Sequence, residues 1–124
     1  IGSEMSRGVK DILVENCTFV GTDVGVRMKS ALGRGGVVEN ITLRNIHMSE
    51  IKSEAVILTM SYVLNSLNRN ETIAMENEED IPYFRDMSME NIEVTGCRQF
   101  TKIEPLQGRP ETIRNVVVNG QKLA

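Results

Sequence analysis

The chain has 124 residues, 40% of them hydrophobic and 25% charged, with a formal net charge of −3. That length fits one domain, and the mildly acidic balance lacks the basic footprint of a general nucleic-acid binder. No apolar run is long enough to cross a bilayer as a helix, and no signal peptide stands at the start.

In chain order, the first patterned element is "VKDILVENCTF" from Val9, followed by the short apolar run "GVRMK" and a Gly-Arg-Gly-Gly turn. "VENITLRNIHM" then starts at Val38 and leads into "EAVILTMSY". A loop insertion at about 63–83 follows, with four carboxylates between Glu76 and Asp80. After it come "FRDMSMENIEV" from Phe84, a strand around Lys102, and "IRNVVVNGQKL" from Ile113. The four long segments share one pattern: apolar, two polar, apolar, any, apolar, then Asn within two positions. Asn16, Asn45, Asn91 and Asn119 are separated by 29, 46 and 28 residues, a period near 28 with one insertion.

Each unit offers short strands of period two broken by Asn and Gly, with no helical stripe. Such units predict an all-β chain: a parallel β-helix, or solenoid, of about four coils in a single partial domain over 1–124. A β-sandwich is the alternative, but it does not explain a recurring offset of 11 residues from the repeated Asn to Arg27, Val56 and Lys102. The repeated Asn suits a left-handed corner and bonds its amide to the Asn one coil away. With Trp absent and aromatics at 4%, the core is expected to be narrow and aliphatic. Cys17 and Cys97 lie two units apart, at about 9.6 Å or more by strand spacing and beyond disulfide reach. Both read as small hydrophobes. No zinc or calcium ligand set is present, and no cofactor is expected.

Alternation points Val24, Val26 and Met28 inward and Arg27 and Lys29 outward on one face. The two cations lie roughly 6.5–7 Å apart along the strand. The offset of 11 puts Val56 and Leu58 in the same columns of the next coil, so no matching acid is expected beside the pair there, and Lys102 and Glu104 in the coil after. A cation pair beside an apolar strip suits a carboxylate-bearing ligand, with Arg bidentate and Lys a point charge. A merely solvated pair is the other reading. His47 reads as a surface imidazole, Asp23 as a turn former, and the sequons at Asn16, Asn40 and Asn70 as incidental.

The run from Ile1 to Ile46 resembles the second half of the pectin-degrading polygalacturonases, glycoside hydrolase family 28. The family's Arg-any-Lys falls on Arg27-Met28-Lys29, and a family tyrosine 35 residues past the arginine falls on Tyr62. The resemblance implies a right-handed parallel β-helix whose groove holds galacturonan. Arg27 and Lys29 would bind a galacturonate carboxylate, and Tyr62 would hold the sugar near the cleavage point. It also implies inverting hydrolysis by a pair of acids. The family's Asn-Thr-Asp, Asp-Asp and Gly-His-Gly motifs are absent from residues 1–124. The catalytic residues, and the coils that carry them, are therefore expected upstream, and the chain, which starts at Ile1, is expected to be an inactive piece of a secreted or periplasmic hydrolase. A non-catalytic module binding acidic polysaccharide and a structural solenoid remain the competing functions. The expected partner is galacturonan, with neither nucleic acid nor membrane.

Overall fold

The computed structural model describes residues 1–61 and 77–124. Among them lie eight strands: β1 (Val9–Val20), β2 (Val26–Lys29), β3 (Val37–Ser49), β4 (Glu54–Thr59), β5 (Tyr83–Val94), β6 (Gln99–Glu104), β7 (Ile113–Val118) and β8 (Gln121–Lys122). Short 3-10 turns span Glu78–Asp80 and Pro110–Thr112, and no α-helix occurs among the described residues. The all-β expectation holds. One sheet runs β1-β3-β5-β7-β8 and the other β2-β4-β6, so the chain visits the two sheets alternately from β1 to β7. Every pairing between named strands is parallel except β7 with β8.

The repeat pattern has a backbone cause. In β3 the buried residues are Val38, Ile41, Leu43, Ile46 and Met48, spaced three, two, three, two. The steps of three occur where Asn40 and Asn45 take left-handed φ of 55° and 56°. One such residue turns a corner, so two successive side chains face outward before alternation resumes. The same corners fall at Asp11 and Asn16 in β1, at Asp86 and Asn91 in β5, and at Asn115 and Asn119 at the C-terminal end. Only Asn, Asp and Gly visit this region cheaply.

The corners are also where neighbouring strands bond side chain to side chain. Asn91 Nδ2 donates to Asn45 Oδ1 at 3.0 Å, and Asn45 Nδ2 donates to Asn16 Oδ1 at 3.1 Å. This is the expected Asn ladder. The other corner column pairs Asn with Asp: Asn40 Nδ2 donates to Asp11 Oδ1, and Asn115 Nδ2 to Asp86 Oδ1, both at 2.7 Å. Asn16 and Asn40, two of the three sequon asparagines, thus have their side chains engaged in the fold; Asn70 lies outside the described residues.

The core is narrow and rich in methionine. Met5, Met28, Met48, Met60, Met87 and Met89 are buried, and Phe84 is the one aromatic ring fully enclosed among the described residues. Unbranched, polarisable Met fills the irregular gap between two facing sheets without large rings. Cys17 and Cys97 are free thiols, partly buried against this cluster.

The second sheet departs from the expected register. Val26 pairs with Val56, Arg27 with Ile57, Met28 with Leu58 and Lys29 with Thr59. The constant offset of 11 had aligned Arg27 with Val56 and Lys29 with Leu58. Those two residues are instead fully buried. The second unit carries one more residue than the first between Ser49 and Val56, because Val20 pairs with Ser49 at an offset of 29 and Val26 with Val56 at an offset of 30. Ile51, buried in the core cluster, anchors that longer turn. The insertion also ends earlier than expected, because Tyr83 already belongs to β5 and pairs with Val37.

Candidate functional site

Arg27 and Lys29 sit on β2, between Val26 and Met28, which are 8% and 1% exposed, and the buried Ser30. The short strand is held close to its neighbours. A Cβ on Gly25 would strike Met48 Sδ and lie 2.5 Å from Ala55 C=O, so only glycine permits this approach. On its other edge, Lys29 N–H donates to Ile1 C=O at 3.0 Å, and the Ile1 amino group donates to Arg27 C=O at 2.9 Å. Burial, then the nearby Lys29 and Arg27 charges, hold that amino group below its usual range.

In register, the outward face of this sheet consists of two rows. Arg27, Ile57 and Lys102 form one, and Lys29, Thr59 and Glu104 the other. Arg27 is exposed and Lys29 half-buried, as alternation required. The next strand brings no acid to the pair, only Ile57 and Thr59, but an acid of the same unit does come near: Arg27 Nη2 lies 4.0 Å from Asp23 Oδ2, both side chains well exposed. An exposed pair at that separation contributes at most about 1 kcal/mol. It trims the positive potential without occupying the guanidinium fork, so a ligand carboxylate meeting Arg27 bidentately can displace it.

Tyr62 lies outside the described residues. Its chain neighbour Ser61 is exposed and bridges to Ala31, two residues past Lys29. His47 lies on the other sheet, its Nδ1 3.5 Å from Glu93 Oε2, away from the cation pair in sequence and sheet. Among the described residues no group of three or more His, Cys, Asp or Glu gathers as a metal site, and no helix is long and apolar enough to cross a membrane.

The sequence reading had Arg27 and Lys102 in one column, as the register bears out, but it missed Ile57 and Thr59 between the two outer strands. Matching Val26 and Met28 to Val56 and Leu58, like with like, would have found them. The adjacent buried pair Ala55 and Val56 hid the change of parity.

Residues 1–104 match the sequence profile of Glycosyl hydrolases family 28. A "Probable polygalacturonase" of Vitis vinifera is 32% identical over 108 residues, covering 87% of this chain and 22% of that protein. An exo-poly-alpha-D-galacturonosidase of Dickeya chrysanthemi is 36% identical over 94 residues, 76% of this chain and 15% of the relative. A "Probable endopolygalacturonase I" of Aspergillus flavus is 34% identical over 62 residues, 50% of this chain and 17% of the relative. The chain thus spans less than a quarter of the length of each of these relatives. No solved structure gives a significant match. With the profile running from Ile1 through all three strands of the sheet that carries Arg27, Lys29 and Lys102, the chain belongs to glycosyl hydrolases family 28.

Proposed function

We propose that this chain is the C-terminal part of a galacturonan hydrolase, wound as a right-handed parallel β-helix of about four coils. In this reading it supplies carboxylate binding through Arg27 and Lys29, with Tyr62 beside them, and the catalytic acids lie upstream. Hydrolysis inverts the anomeric centre, one acid protonating the leaving oxygen and a second activating water. The observation that carries the reading is the outward face of β2, where Arg27 and Lys29 stand one residue apart beside Ile57 and Thr59 of the neighbouring strand. Family membership and the names of the relatives support polygalacturonate as the polymer. Because that polymer lies outside the cell, the parent protein is expected to be exported.

The pair Asp23–Arg27 favours one competing reading, a structural solenoid whose surface charges neutralise each other. Binding of trigalacturonate to the wild-type chain and to Arg27→Ala/Lys29→Ala separates the two. Loss of one bidentate and one point-charge contact predicts a fall in affinity of about tenfold or more, steepest at low salt. Equal affinity of the two proteins, or no binding by folded wild type, removes the galacturonan reading.

A further inference from the structure

Resting on that reading, we infer that Lys102 is a second carboxylate-recognising cation, which makes this face selective for a uronate chain over a single sugar. Lys102 stands in register with Arg27 through Ile57, two strands away on the same outward face. Two inter-strand steps set the Cα atoms about 9.6 Å apart. The half-buried Ile57 between them offers an apolar step for the non-polar face of a ring, with a cation on either side. Lys102 is exposed and makes no ion pair among the described residues.

The parallel row gives the face a direction. Its residues run Lys29, Thr59, Glu104: cation, hydroxyl, anion. At β2 both rows therefore attract a carboxylate, whereas at β6 only the Lys102 row does. Glu104, on the same face and half-buried, repels a carboxylate that strays across and accepts hydrogen bonds from sugar hydroxyls instead. A uronate chain laid across the strands is thus drawn with its far carboxylate over Lys102 and its hydroxyls toward Glu104. A monomer held at Arg27 and Lys29 does not extend to β6.

The test compares galacturonic acid with trigalacturonate on wild type, Lys102→Gln, Lys102→Arg and Arg27→Ala/Lys29→Ala. An exposed charge contact of about 1 kcal/mol predicts that Lys102→Gln weakens the trimer about fivefold. Monomer affinity stays unchanged, and Lys102→Arg recovers the trimer. If Lys102→Gln binds the trimer as wild type does while Arg27→Ala/Lys29→Ala loses it, this inference fails and the carboxylate site at β2 stands. If Lys102→Gln weakens monomer and trimer equally, Lys102 acts on the general field of the face and the chain-length inference is overturned. Failure of wild type to bind the trimer removes both.

Discussion

Asn45 shows how much of this fold rests on single corner residues. Its amide donates to Asn16 and its carbonyl accepts from Asn91, while its backbone holds a φ of 56°. Three strands are thereby fixed to one another at one corner. Asn45→Ala removes both bonds and places a Cβ-bearing, non-bonding residue in the left-handed region, a strain of about 1–2 kcal/mol before any hydrogen bond is counted. Each lost bond adds about 1 kcal/mol. Asn45→Gly keeps the backbone comfortable and loses only the bonds. Urea titration should therefore rank wild type above Gly and Gly above Ala. Equal loss in both variants would mean that conformation at this corner costs nothing and the ladder alone matters. The second corner column obeys the same logic with a carboxylate as the fixed acceptor, since Asp11 and Asp86 can only accept from Asn40 and Asn115.

Within each strand, these corners explain what the sequence made legible and what it concealed. The spacing Val38, Ile41, Leu43, Ile46, Met48 is visible in the letters, and with it came the repeat, the all-β class and the ladder of Asn16, Asn45 and Asn91. The Asp/Asn column escaped because Asp11, Asn40, Asp86 and Asn115 read only as the second of two polar residues. Their shared requirement is a φ above 50°, which hydropathy does not record. The outward direction of Arg27 and Lys29 followed from alternation. Their neighbours on β4 did not, because one extra residue in the turn before that strand shifts its side chains by one place and reverses their faces. Core volume is a further element-scale property. Phe84 of β5 packs at 0% exposure among methionines and aliphatics, between Val38 and Ile113 in its column. Phe84→Ala should cost about 3–5 kcal/mol, and Phe84→Met much less, because Met already fills this core and approximates the lost volume. Thermal unfolding of the two variants reads the difference. Similar losses would indicate that ring shape, not filled volume, sets the stability of β5.

On the scale of the whole chain, the two ends of the larger sheet are not equivalent. At the C-terminal end β8 folds back antiparallel on β7, and Asn119 substitutes for a further strand. Its Nδ2 donates to Ile92 C=O and its Oδ1 accepts from Ile92 N–H, both at 2.9 Å. A side-chain amide thus satisfies a backbone edge, and the turn at Asn119 and Gly120 carries the chain away. At the other end β1 pairs only with β3, leaving one edge of a 12-residue strand without a named strand beside it. Its side chains are correspondingly bare: Ile12, Leu13 and Val20 are 38%, 52% and 61% exposed, although Ile12 belongs to the same inward column as Ile41 and Met87. A long, apolar strand edge invites another strand. We expect the isolated chain to associate through β1, with apparent mass in sedimentation rising with concentration. Leu13→Lys/Val20→Lys places charge on the outward side of that strand and should suppress association while leaving the far-UV spectrum unchanged. Under the proposed reading, a longer protein with one more rung paired to β1 shows no such association even with Leu13 and Val20 intact. A monodisperse monomer from the unmodified chain at every concentration would mean that the corner residues Asp11 and Asn16 already twist this edge out of pairing register.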